Sequence, residues 1–181
     1  VDGEGDRIAL VAGKRVRMIR LSDRSSEELA EIPSAHTGLE VVFSPDDRLI
    51  AVASGNVDTA RIYDVETGQF VFQTDTAGNC QDVAFSPDGQ TIAAGHVSQE
   101  TYIWSVNPPA LLRGLSANNN GGGQVAFSPD GRLLATGFGN TVKILDTSNY
   151  ELIRNLEDIH SVRDLSFSPD SRLLGVATTG G

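Results

Sequence analysis

The sequence is poor in the residues that carry redox, metal or nucleophilic chemistry. Cys80 is the only cysteine, so no disulfide can close within the chain, which fits a reducing, cytoplasmic setting. His36, His96 and His160 lie in separate parts of the chain and do not form a spacing that converges on a metal ion. GxSxG, HExxH, CxxC and phosphate-loop patterns are all missing, so neither a cofactor nor a metal is expected. No apolar run approaches the roughly 18–20 residues needed to span a bilayer. The first ten residues, VDGEGDRIAL, have neither an initiator Met nor a basic-then-apolar leader, which implies a processed product or a fragment. Positive charge is also short, with 14 Lys and Arg against 24 Asp and Glu and a net charge of −10. An acidic surface repels phosphate backbones, which argues against nucleic acid as a partner. Residues 1–33 are nearly balanced, and their basic cluster Lys14, Arg15, Arg17 and Arg20 reads as the solvated side of a strand.

Other fragments resemble sites without completing one. DGEGD at 2–6 starts like a calcium loop but lacks the glycine that should come next and the closing glutamate, and reads as a solvated flank. GFGNTV at 137–142 has two of three dinucleotide-loop glycines and no helix after them, so it reads as a turn.

What the chain does contain is a phrase written four times. VAFSPDG occurs at Val83–Gly89 and Val125–Gly131, with looser copies VVFSPDD at Val41–Asp47 and LSFSPDS at Leu165–Ser171. Phe43, Phe85, Phe127 and Phe167 are 42, 42 and 40 residues apart, a period that marks a repeat architecture. In the copy from Gly122, Val125 and Phe127 alternate as in a strand. Pro129, Asp130 and Gly131 then supply a turn: a preset φ, an amide-capping carboxylate and a residue tolerant of positive φ. RLLATGF, TVKILDT and ELIRNLE follow as three more short strands. The other copies repeat the plan, giving about 17 expected strands and an all-β chain. The recurring Asp46, Asp88, Asp130 and Asp170 are expected to form turns, not a ring of functional carboxylates. Cys80 is expected to be a small buried side chain.

Phrase, period and strand order together resemble the WD40 repeat. The slot of that family's Trp-Asp pair is filled by Tyr63–Asp64, Trp104–Ser105, Leu145–Asp146 and Ile19–Arg20, so Trp and Asp each occur but never together. The nearest match to the family's buried polar tetrad is His36, Ser54, Asp58 and Tyr63. The middle repeats have AGNC and NNNGGG where a Gly-His pair is common, so apolar packing is expected to carry more of the stability. His36 and His160 would be loop anchors, and His96 would sit in a second turn.

The resemblance implies a β-propeller of four-stranded antiparallel blades. Its segments would be a partial blade at 1–32 with the last three strands, blades at 33–74, 75–116 and 117–156, and a partial blade at 157–181 with the first two strands. Roughly seven blades usually close such a ring. This chain, with about four and a quarter, is therefore expected to be one segment of a larger propeller or multidomain protein. It would associate with the remaining blades or with itself, and it would not behave as a closed monomer.

The resemblance further implies a non-catalytic scaffold for protein or peptide partners. The binding loops would precede first strands and follow second strands, where the copies differ: Thr37, Leu39, Asn79, Gln81, Ser161 and Arg163, with Asn56, Ser98 and Asn140. The alternative is a regulatory or sensing propeller domain of an enzyme such as a protease, kinase or nucleotide-switch protein. Chemistry in the central channel would need convergent inward groups, and GLEV, CQDV, GGQV and VRDL offer Asp and Glu that read as scattered.

Overall fold

Short apolar–polar alternations punctuated by tight turns can satisfy their backbone groups only by pairing with neighbours, and the chain does this as antiparallel sheets. The structure, a computed structural model, describes residues 1–3, 5–12, 15–31, 38–54, 59–76, 78–97, 100–116 and 123–179. Within these residues the first sheet has three strands, β1 (Arg7–Ala12), β2 (Arg15–Arg20) and β3 (Ser26–Glu31). The second has β4 (Gly38–Phe43), β5 (Leu49–Ser54), β6 (Ala60–Asp64) and β7 (Phe70–Gln73). The third has β8 (Cys80–Phe85), β9 (Thr91–His96), β10 (Glu100–Ser105) and β11 (Ala110–Ser116). The fourth has β12 (Gln124–Phe127), β13 (Leu133–Phe138), β14 (Thr141–Asp146) and β15 (Leu152–Leu156). The last has β16 (Val162–Phe167) and β17 (Leu174–Thr178). Each strand pairs with its sequence neighbours, so the fold is all-β, with every sheet a simple meander.

The cores lie between sheets. Ala51, Ala53 and Ile62 of the second sheet pack with Val83 and Ile92 of the third. Ala93 and Ile103 pack with Val125 and Leu134, and Ala135 and Val142 with Val162 and Leu165. The second strand presents small residues forward and the next sheet presents bulky ones back. A methyl group on Gly137 would lie 2.8 Å from Val162 Cγ1, so this junction requires the missing side chain.

The repeated phrase is a polar box. In all four copies the serine hydroxyl donates to the aspartate two residues on, at 2.6 Å. That carboxylate accepts the N–H two residues further (Arg48, Gln90, Arg132, Arg172), and the serine oxygen accepts the N–H five residues after it. The fourth turn residue has positive φ in every copy: Asp47, Gly89, Gly131 and Ser171. Two of these are not glycine, and both reach another turn. Asp47 Oδ1 accepts the Gly3 N–H, and Ser171 Oγ accepts the Asp130 N–H. Ser128→Ala would leave the half-buried Leu133 N–H without its acceptor and take one donor from the exposed Asp130 carboxylate. We expect a loss of about 2 kcal/mol, read by urea unfolding, with Ser168→Ala costing less because that turn is more exposed.

A fifth copy is hidden at the start. Asp2 donates its N–H to the Arg7 carbonyl and Gly5 donates to the Asp2 carbonyl, as Ser44 and Asp47 do in the next repeat. Gly5 has positive φ, and Asp2 fills the serine slot. Its carboxylate accepts the Asp6 and Arg7 N–H groups and pairs with Arg7 Nε at 2.7 Å. Burial works to raise the Asp2 pKa, but the Arg7 hydrogen bonds outweigh it and hold the carboxyl below its ordinary value. Within this segment Asp2 is therefore a buried turn residue where a solvated flank is expected, while Gly3 and Gly5 are exposed. The sequence signal for this turn is its place one period before Phe43, with Val1 in the Phe slot.

Candidate functional site

The first strands β4, β8, β12 and β16 neighbour one another in order and line one cavity of about 780 Å³. Three residues before each repeat phenylalanine stand Glu40, Asp82, Gln124 and Asp164, and all four line it. The structure thus corrects the reading of these groups as scattered. The physical reason is that the repeat places one position of every first strand on the same inner side.

A shared irregularity aims them. The first-to-second-strand register shifts at Gly38/Glu40, Cys80/Asp82 and Val162/Asp164, skipping Leu39, Gln81 and Arg163. These three are the extra residues of equivalent β-bulges, devices that bend a strand and redirect its side chains. They are also three of the residues selected from repeat-to-repeat variation. Gln81 and Arg163 line the cavity beside the carboxylates.

Among the described residues each of these first strands has an inner edge with no strand beyond it, so its N–H groups need other acceptors. Asp82 supplies two: Oδ1 accepts from Val83 N at 2.7 Å, and Oδ2 crosses to Val125 N of the next sheet at 2.8 Å. Asp164 Oδ1 accepts from Leu165 N at 2.8 Å. Burial pushes the Asp82 carboxyl up to about 7. The Val125 N–H works against that rise, and the charges of Glu40 and Asp164 add to it. Glu40 is also raised, by burial and then by Asp164. Cys80, buried behind this edge, is pushed up to about 12 by burial and then by Asp82, which keeps it a thiol.

The remaining candidates fall on the surrounding loops. Asn79 accepts the Val97 N–H through its carbonyl, Asn140 the Ile159 N–H, and Ser161 the Thr179 N–H. These bonds join loops before first strands to loops after second strands on one end of the sheets. Thr37, Asn56 and Ser98 lie outside the described residues, as do His36, Asp58 and the NNN part of NNNGGG.

His96 departs from its expected second turn. It ends β9, fully buried, with Nδ1 2.6 Å from the Gly78 carbonyl and Nε2 3.1 Å from the Thr76 hydroxyl. The carbonyl can only accept, so Nδ1 carries a proton. Tyr102 meets the ring edge-on. His96 thus pins the loop before β8, while His160 is exposed. Trp104 Nε1, Thr101 Oγ1 and Tyr63 Oη are buried with no hydrogen-bond partner among the described residues.

Stacked antiparallel meanders with a recurring Ser-Pro-Asp turn define a repeat protein whose sheets bury their faces against one another. The family model described as WD domain, G-beta repeat, matches residues 68–105 and 123–146, roughly a third of the chain, so these two stretches are similar to the WD40 repeat. Both matches end in the Trp-Asp slot, at Ser105 and Asp146. No curated protein matches the chain. WD40 repeats generally mediate protein interactions, and such domains are typically non-catalytic.

Proposed function

We propose that this chain is a non-catalytic docking platform for a protein or peptide segment, working in the reducing cytoplasm. Its binding end carries the bulge residues, the loops around Asn79, Asn140 and Ser161, and the carboxylate-lined cavity. The observation that carries this reading is the division of labour within the repeat. The Ser-Pro-Asp box is preserved in all four copies, whereas the bulge position changes from Leu39 to Gln81 to Arg163, the last two lining the cavity. A wide cavity rimmed by dissimilar polar groups suits an irregular polypeptide better than a uniform phosphate backbone, which the net charge of −10 also repels. Nucleic acid and membrane are outside this reading.

The test is selection of 16-residue peptides from a displayed random library against the whole chain. Enriched peptides are then measured against Gln81→Lys, Arg163→Glu and the outer-strand control Ile153→Ser. The reading expects about a tenfold loss of affinity, roughly 1.4 kcal/mol, for each bulge variant and none for the control. No enrichment, or equal binding to all variants, would overturn it.

A further inference from the structure

We infer that the cavity between the first strands takes an amphipathic cation. The docked segment inserts one apolar side chain and holds the positive charge of a neighbouring lysine or arginine against Glu40 and Asp164. This rests on the docking reading and names what such a segment carries. At about 780 Å³ the cavity has the size of a ligand site, and its wall changes character from one end to the other.

At the polar end Glu40, Asp82 and Asp164 set three carboxylates against the single guanidinium of Arg163. The charges of Glu40 and Asp164 both reach Asp82, and that of Asp164 reaches Glu40, so the three share one small volume. Asp82 engages both oxygens with Val83 N and Val125 N. Glu40 and Asp164 Oδ2 accept no hydrogen bond among the described residues. Gln124 lines the same wall at 8% exposure; its Nε2 donates to the Gly123 carbonyl, and its Oε1 accepts nothing among the described residues. A buried carboxamide oxygen without a donor, beside carboxylates with open lone pairs, is matched by N–H groups from a ligand. No three His, Cys, Asp or Glu groups among the described residues converge to hold a metal ion, so the matching cation is an organic one.

The apolar end follows from the repeat. Three residues further along each strand, about 10 Å at the usual rise, stand Phe43, Phe85, Phe127 and Phe167, and all four line the cavity. Each is half-buried, packed on its own inter-sheet core with the rest of its surface left to the cavity. Pro45 and Pro129 line this end as well. The position between the two levels is Val42, Ala84, Ala126 and Ser166, so three of the four walls are small there and leave a passage. A segment entering past the bulges thus meets carboxylates first and aromatic rings beneath them. An anion is repelled at the first level, and a purely apolar group leaves the carboxylates and Gln124 without donors.

Fluorescence anisotropy tests this on the intact chain with three labelled peptides: Gly-Ser-Gly-Phe-Arg-Gly-Ser-Gly and its Phe-Glu and Ala-Arg forms. The Phe-Arg peptide should bind at least about tenfold tighter than either of the others. Glu40→Lys combined with Asp164→Lys should exchange the preference, so that the Phe-Glu peptide becomes the tighter ligand. Ser166→Trp should obstruct the passage and weaken the Phe-Arg peptide about tenfold with every charge still in place. Glu40, Asp164 and Ser166 are exposed, so circular dichroism should stay unchanged. Equal binding of the three peptides, binding of none, or a preference that survives the double substitution would each overturn the inference. Its failure is separable from that of the docking reading. Library-selected peptides that depend on Gln81 and Arg163 but ignore changes at Glu40, Asp164 and Ser166 would sink the amphipathic cation and leave docking intact.

Discussion

Leu134→Ala is expected to destabilise the chain by about 3 kcal/mol, while Leu152→Ala should change stability by less than about 0.5 kcal/mol. The two residues are chemically identical and lie in the same sheet. Leu134 is fully buried on β13, packed beside Val125 of its own sheet and against Ala93 and Ile103 across the junction to the third sheet. Leu152 is 54% exposed on the outer strand β15. Deleting Leu134 removes apolar atoms that two sheets share, and the rigid meanders on either side cannot close the cavity left behind. A single sheet has no core of its own, so the loss should broaden the thermal transition as well as lower its midpoint. Differential scanning calorimetry reads both quantities. Equal effects at the two positions would show that the cores do not lie between the sheets.

The second large effect is a dependence of stability on pH that runs opposite to ordinary acid unfolding. The Asp82 carboxyl titrates near 7 in the folded chain and near 3.8 when unfolded. A raised carboxyl means the unfolded state releases its proton first. The stability Asp82 contributes is fully present below about pH 4 and is lost as pH rises through about 7. That difference corresponds to at most about 4 kcal/mol, less whatever solvent reaches the cavity. Asp46, Asp64 and Asp88 pull the other way. The Ser44 hydroxyl, the Thr67 amide and the Ser86 hydroxyl respectively hold them below the ordinary value. Their contribution is present above the normal carboxylate range and lost as acid protonates them. Maximal stability is therefore expected near pH 5, with a decline toward pH 8. Asp82→Asn should flatten that decline. It should also lower stability at pH 5, since one carboxamide oxygen cannot replace two acceptors for Val83 N and Val125 N. Urea midpoints at pH 5, 6.5 and 8 give the slope, and an unchanged slope would remove Asp82 as its source.

Much of this fold was legible in the sequence because its punctuation is chemical. Proline, aspartate and a positive-φ residue at fixed spacing dictate a hairpin turn whatever surrounds them, and alternation about that turn places Phe43 or Phe127 on a buried face. The role of the serine was not legible, since a hydroxyl bridging a carboxylate and an amide five residues on appears only when the hairpin closes. The first turn escaped for a related reason. Asp2 does the serine's work with a different functional group, so the words changed while the hydrogen bonds did not. The cavity residues were partly legible. Variation between copies pointed to Gln81 and Arg163, but carboxylates 42 and 82 residues apart looked unrelated until the strands stood side by side. His96 was misplaced because strand ends are weakly specified, and β9 runs two residues past its last clear apolar alternation.

The bulges at Leu39, Gln81 and Arg163 separate two demands that most strands must meet with the same residue. A side chain in a regular ladder must satisfy its partner, so changing it disturbs the sheet. These positions oppose no residue on the second strand, and exchanging them leaves every cross-strand pair in place. Under the proposed docking role, these three positions would let a new specificity be introduced one residue at a time without disturbing the sheets that carry them.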